Sequence, residues 1–281
     1  MNTWGVLYVV ATPIGNLGDF SSRAIHVLNE VDFIAAEDTR VTAKLLNHFD
    51  IKKHLVSCQK YNEKERTEQI IMRLKEGESC AFCSDAGTPV ISDPGGLLVS
   101  RALDEGIKVV PISGPSAVVT ALSVCGIHCE RFCFEGFLPT PKGGRKKRLE
   151  EIQNEKRTLV FYEAPHKLQR TLEDLALYLG DRRITVCREM TKVHEEIWRT
   201  SLGEAIKHYN ENPPKGEFVL IVEGSQDIKA GAEVSVENAV QQVLKMCEEN
   251  DLSLAAAAKI VAKDTGLSKS VLYKSAIEAK E

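Results

Sequence analysis

The sequence has no Gly-x-Gly-x-x-Gly turn, so a standard dinucleotide pocket is unsupported. Its nearest approach to a phosphate-binding P-loop, Gly136 to Lys142, carries Pro141 where the second glycine must stand, which argues against nucleotide hydrolysis. Metal chemistry is poorly provided for as well. Cys80 and Cys83 have CxxC spacing, but no second pair completes a tetrahedral zinc site, and the seven histidines are dispersed. That segment also reads as a strand, where residues three apart face opposite ways. The eight cysteines are scattered through apolar stretches of a 281-residue chain, a pattern of reduced thiols in a cytosol and not of a disulfide framework.

Other features are missing too. The run from Met1 to Ala11 turns apolar without a basic leader and is short for a signal core. The uncharged stretch Val109 to Ile127 has the length of a membrane span, but Pro111, Gly114, Pro115 and Gly126 break it into strand, turn and helix, so no membrane partner is expected. A net charge of −4 argues against nonspecific coating of nucleic acid and leaves room for a local basic patch. No internal repeat or low-complexity segment occurs.

The first half of the chain alternates short β-branched runs with amphipathic stretches. Strands are predicted at Val6 to Ala11, Asp32 to Ala36, Cys80 to Cys83 and Lys108 to Pro111. Helices fall at Ser22 to Val31, Thr42 to His48, Asn62 to Lys75 and Gly96 to Glu105. This alternation implies a mostly parallel sheet covered on both faces. Gly114-Pro115-Ser116 is the best candidate for a hinge or domain junction. Adjacent strand signals later in the chain, including Ile184 to Arg188 and Glu195 to Thr200, imply an antiparallel portion. From Ala230 onward three helices are expected, the last two separated by Gly266 as a C′ stop and Ser268 as an N-cap, which is helix-turn-helix spacing. The fold class is therefore α/β: an N-terminal domain over 1–115, a mixed α/β domain over 116–226 and a helical extension over 230–281.

The most informative segment runs from Cys83 through Ser84-Asp85-Ala86-Gly87-Thr88-Pro89 to Gly96. It leaves a strand and enters a helix, with Asp93 expected as the cap and Pro94 in the first helical position. Ligands of open α/β sheets bind at the carboxyl ends of strands. There Gly87 permits close approach by a ligand and Asp85 supplies a carboxylate. Two further strand-end loops, Ala11 to Asp19 and Ile112 to Ala117, follow the same logic. Each loop alone reads first as plain turn chemistry; three converging on one edge point to a site.

The segments TPIGNLGD, AEDTR (Glu37 to Arg40), SDAGTPVISDPG, PISGPSA, GFLP (Gly136 to Pro139), FYEAPHK (Phe161 to Lys167) and REMTK (Arg188 to Lys192) together resemble the tetrapyrrole methylase superfamily. Within it they are similar to the branch of ribosomal RNA ribose 2′-O-methyltransferases acting on a cytidine of the small subunit. The resemblance runs in order from about residue 5 to 224. It implies two α/β domains with S-adenosyl-L-methionine in the cleft between them, held by Pro13, Asp85, Gly87, Thr88, Ser116 and Ala117, with Tyr162 and Glu163 opposite. It further implies the small subunit's ribosomal RNA as partner, within the assembled subunit, and a homodimer. Tetrapyrrole-modifying members carry a G-x-G-P-G-D first loop, a place taken here by Thr12 to Asp19.

Methyl transfer from a sulfonium is an in-line displacement, and a ribose hydroxyl is a poor nucleophile near neutral pH, so a general base at hydrogen-bond distance helps. Candidates are Glu37, Asp38, Glu163 and His166. Glu37 and Asp38 serve equally well as partners of Arg40 or as a helix cap, and His166 as a structural hydrogen-bonding group. For substrate, Lys142, Arg145, Lys146, Lys147 and Arg148 place five cations in seven residues. Positive charge at a helix start opposes the helix dipole and points to a polyanion, with Arg40 and Lys167 extending the RNA-contacting set. The alternative is a solvated helix start. Two rival functions remain at this stage. One is methylation of a small tetrapyrrole, disfavoured by the first loop and the basic run. The other is a ligand-sensing DNA-binding regulator, disfavoured because the tail has no basic excess.

Overall fold

The computed structural model describes residues 4–226, 236–250, 253–265 and 267–279. Ala230, Gly266 and the first three residues, on which parts of the sequence reading rest, lie outside the described residues. The chain forms two compact units, one through Gly224 and one from Ser225.

The first sheet is wholly parallel. Its strands are β1 (Val6–Val10), β2 (Phe33–Ala36), β3 (His54–Ser57), β4 (Cys80–Cys83) and β5 (Lys108–Ile112), in the order β3-β2-β4-β1-β5. The crossovers are α1 (Ser22–Glu30), α2 (Thr39–His48), α3 (Glu63–Lys75) and α4 (Gly96–Asp104). Every residue of β2 and β4 is buried, which requires helices on both faces and explains their continuous apolar reading. On one face Cys80 and Phe82 pack with Phe33, Ile70 and Leu98; on the other Ala81 and Cys83 pack with Val10, Leu28 and Leu46. The CxxC cysteines thus sit on opposite faces of β4.

The segment after β5 leads into α5 (Ala117–Val124), whose Val118, Ala121 and Leu122 pack not on the first sheet but against Val160, Cys187 and Ile221 of a second one. That sheet contains β6 (Phe132–Gly136), β7 (Thr158–Glu163), β8 (Arg183–Arg188), β9 (Glu196–Ser201) and β10 (Phe218–Val222), ordered β6-β7-β10-β8-β9. Only the β6–β7 pair is parallel. Its other face is covered by α6 (Lys142–Ile152), α7 (Pro165–Leu179) and α8 (Leu202–Glu211), with Leu149, Leu168, Leu172 and Leu202 fully enclosed.

The second unit consists of α9 (Val236–Asn250), α10 (Leu254–Thr265) and α11 (Lys269–Glu278) around Val243, Ala257, Ala258 and Leu272. Ser268 is the N-cap residue of α11, with no side-chain capping bond. Among the described residues, no helix is long and apolar enough to cross a membrane.

Candidate active site

β4, β1 and β5 are neighbours, so the loops that follow them meet at one edge. Thr12 and Gly87 exchange backbone hydrogen bonds of 2.9 and 3.0 Å, extending the sheet by one bridge. The Thr12 hydroxyl donates to the Ser84 carbonyl at 3.3 Å, and the Thr88 hydroxyl to the Pro115 carbonyl at 3.1 Å. Side chains from two loops therefore fasten all three. Gly87 has φ +79°, and a Cβ there would lie 3.3 Å from the Ile14 side chain. The same loop holds Val90 at φ 76°, a strained setting for a β-branched residue.

The start of α4 differs from the sequence expectation. Gly95, not Asp93, is the N-cap, so Pro94 precedes the helix instead of opening it, and the capping carboxylate comes from another helix. Glu63 Oε1 accepts from the Gly95 and Leu97 amides at 2.8 and 3.2 Å. Asp93 is thereby released from capping and faces a cavity of about 490 Å³. Burial raises its carboxyl above the usual range.

On the first-sheet side that cavity is bounded by Ile14, Gly87, Thr88, Asp93 and the first turn of α5, Ser116 and Ala117. The second sheet contributes Phe137, Tyr162, Glu163, His166, Met190 and Glu217. Tyr162 is braced by Phe134 and Phe137, with ring centroids 5.0 and 5.7 Å away. Burial raises its phenol. Seven expected residues thus converge on one cavity: Gly87, Thr88, Ser116, Ala117, Tyr162, Glu163 and His166. Pro13 and Asp85 do not line it; their neighbours Ile14 and Ala86 do. Sequence reasoning passed over Ile91, Asp93, Phe137, Met190 and Glu217. Ile91, Asp93, Phe137 and Met190 lie inside motifs quoted above, so the signal was present in SDAGTPVISDPG, GFLP and REMTK.

Glu37 and Asp38 also lie outside the lining and form a carboxylate cluster beside it. Asp85 Oδ1 accepts from the Asp38 amide at 3.0 Å, while the Asp85 amide donates to Glu37 Oε2 at 3.3 Å. Asp38 is the N-cap of α2 and holds the Arg40 guanidinium at 2.6 Å. Hydrogen bonds from Arg40 hold its carboxyl down at about 2. Glu37 moves the other way, raised by burial and by the charges of Asp93, Asp85 and Asp38.

The basic run divides once folded. Lys142, Lys146 and Lys147 are exposed on α6. Arg148 pairs with the buried Glu135 carboxylate at 2.7 Å and with Glu151 at 2.9 Å. Arg145 is 5 % exposed, its Nε 2.6 Å from Asp174 and its Nη2 2.8 Å from the Thr171 hydroxyl, out of reach of any polyanion. Lys167 is half-buried, its Nζ donating to the Thr140 hydroxyl at 3.4 Å.

A nucleoside-sized cavity at the carboxyl edge of a parallel sheet, faced by an aromatic wall from a mixed sheet, defines a two-sheet α/β enzyme. Residues 6–206 match the family of tetrapyrrole (corrin/porphyrin) methylases, and the chain belongs to that family. Residues 234–280 match the RsmI C-terminal HTH domain. Among similar proteins, ribosomal RNA small subunit methyltransferase I of Escherichia coli O157:H7 is 45% identical, over 99% of this chain and 96% of the relative. The Synechocystis protein of the same name is 43% identical over 98% of each chain, and that of Halalkalibacterium halodurans 53% over 79% of this chain and 76% of its own. In fold the chain is similar to diphthine synthase (TM-score 0.60, 16% identity, covering 78% of this chain and 90% of that one). It is also similar to uroporphyrin-III-C-methyltransferase from Thermus thermophilus (TM-score 0.55, 20% identity, covering 78% and 94%).

Proposed function

We propose that this chain methylates the 2′-hydroxyl of a cytidine ribose in 16S ribosomal RNA, using S-adenosylmethionine. Near full-length similarity to proteins named ribosomal RNA small subunit methyltransferase I carries the RNA reading. The cavity carries the cofactor reading.

The residues present fit a nucleoside sulfonium. The cavity falls within the range of small-molecule sites, roughly 300–1,000 Å³. Ile14, Ile91, Ala117 and Met190 offer apolar wall, and Gly87 leaves open a position that a Cβ would crowd. Gly87, Thr88, Ser116, Ala117 and Tyr162 would hold the cofactor. When bound, it supplies an electrophilic methyl: the ribose oxygen bonds to the methyl carbon as the carbon–sulfur bond breaks, with sulfur keeping the electron pair. The hydroxyl proton passes to a base. Of the four carboxylate and imidazole candidates, only Glu163 and His166 border the cavity, and Glu163 is the one fixed in place. The exposed cations Lys142, Lys146 and Lys147, with Lys167 and Arg40, supply phosphate contacts that position the RNA. The assembled subunit as substrate form, a homodimer and a cytoplasmic location follow from the family resemblance.

The test is transfer of labelled methyl to undermethylated small subunits, followed by mapping of the product. Label on a cytidine ribose is the expected result. Label appearing solely on a porphyrinoid, or nowhere, overturns it.

A further inference from the structure

Two large apolar side chains at the cavity are left uncovered by folding. Phe137 is 55% exposed and Ile91 53%, and both line the cavity, Ile91 from the first-sheet side and Phe137 from the second. Each directly follows a residue in the left-handed region, Gly136 at φ 61° and Val90 at φ 76°. The register of β6 on β7 also shifts between Phe134 and Gly136, the kind of irregularity that re-aims a side chain beside a site. A Cβ on Gly136 would lie 3.6 Å from the Ser92 hydroxyl oxygen, so the two loops meet one residue away from Phe137 and from Ile91. Next to Phe137, Leu138 is buried in the core under α6 and α7, which anchors the loop. Tyr162 meets the Phe137 ring at 62°, an edge contact that covers at most one of its two faces. Cations lie close by in the chain. Thr140 accepts from Lys167 Nζ at 3.4 Å, and α6 opens with the exposed Lys142.

We propose that Phe137 and Ile91 form the slot for the base of the nucleotide being methylated, Phe137 stacking on one face of the base and Ile91 packing on the other. The inference rests on the RNA reading above. A ribose hydroxyl cannot enter a cavity while its nucleotide is stacked within a helix, so the nucleotide must be drawn out. Its base then loses its stacking neighbours, and aromatic and apolar side chains replace them. A ring with an uncovered face beside cations is the combination that binds unstacked RNA, the ring taking the base and the cations the backbone. A base held between the two exposed side chains leaves the volume beside the buried Gly87 to the cofactor. Every base has a π-face, so the slot positions the ribose and does not by itself choose the nucleotide.

The experiment compares the parental protein with Phe137→Ala, Phe137→Leu, Phe137→Trp and Ile91→Ala. Methyl transfer is measured on undermethylated small subunits and on subunits reconstituted with an abasic ribose at the modified position; S-adenosylmethionine affinity is measured by calorimetry. On intact subunits kcat/KM falls about tenfold in Phe137→Ala and in Phe137→Leu, which keeps apolar bulk but has no ring face, and Phe137→Trp restores it. Ile91→Ala loses about threefold, since an apolar contact is smaller than a stacked ring. Cofactor affinity stays at the parental value in all four. On abasic subunits the parental protein drops to the level of Phe137→Leu, and the difference between them vanishes. A structural role for the ring would lower both substrates alike, so a penalty that persists on abasic subunits overturns the proposal. Full activity in Phe137→Leu also overturns it, and weaker cofactor binding in Phe137→Ala gives the ring to the cofactor instead. No transfer to small-subunit RNA by the parental protein overturns the RNA reading and this inference together, whereas transfer without a Phe137 penalty overturns the slot alone.

Discussion

Glu63, at the start of α3, caps the neighbouring helix α4 by accepting from Gly95 and Leu97. One carboxylate oxygen answers two of the amides that a helix start leaves without partners. It also anchors the far end of the loop that begins at Ser84.

Replacing Glu63 with alanine removes this cap. Loss of a side-chain cap destabilises by about 1 kcal/mol. Urea unfolding of Glu63→Ala shows that loss, with weaker S-adenosylmethionine binding by calorimetry, because the loop bearing Gly87 and Asp93 is held at one end only. Unchanged stability would sink the capping role.

Gly87→Ala tests the opposite end of the loop. A left-handed conformation is strained by roughly 1–2 kcal/mol once a Cβ is present, and this Cβ also meets Ile14. Affinity for S-adenosylmethionine falls about tenfold, a 1.4 kcal/mol difference. Equal affinity would mean that the cofactor does not approach this backbone.

The buried thiols are inert in the folded protein. Burial pushes Cys83 and Cys187 up to about 12 and Cys58 to about 11, and Cys80 higher still. Since the thiolate is the reactive form, Ellman's reagent titrates only the half-buried Cys129, Cys133 and Cys247 before unfolding. Rapid modification of Cys80 or Cys83, or stoichiometric zinc uptake, contradicts the packing of β4.

Glu37→Gln is expected to stabilise the protein at pH 8. Burial raises the folded-state pKa, so the folded chain binds this proton more tightly than the unfolded one. The cost of ionisation is present above the folded pKa and disappears as pH falls to the ordinary glutamate range. Glutamine keeps an oxygen to accept from the Asp85 amide. The melting temperature rises by roughly 1–2 °C at pH 8 and not at all at pH 4. A lower value at pH 8 contradicts the desolvation account.

The sequence made the central strands and their helices legible because β2 and β4 are covered on both faces and α3 carries Ile70, Ile71 and Leu74 on one side. It hid β3, an edge strand whose four residues His54 to Ser57 are half-buried or exposed and carry little apolar signal. Among the site residues, loop positions at strand ends could be read from turn chemistry. The partition of the basic run could not, because Arg145 and Lys147 look alike until α6 turns one toward Asp174 and the other toward solvent. Asp93 was misplaced for a similar reason: a local cap was assumed where Glu63, 32 residues before Gly95, supplies it.

Gly15, in the first-sheet loop, lies against Lys192, whose ammonium binds both Glu189 and Glu217 on the far side of the cavity. A methyl group on Gly15 would collide with the Lys192 side chain. The spacing between the two walls is therefore gauged by the absence of one carbon atom. Any side chain at that position would act as a shim, pressing on the lysine that ties Glu189 to Glu217.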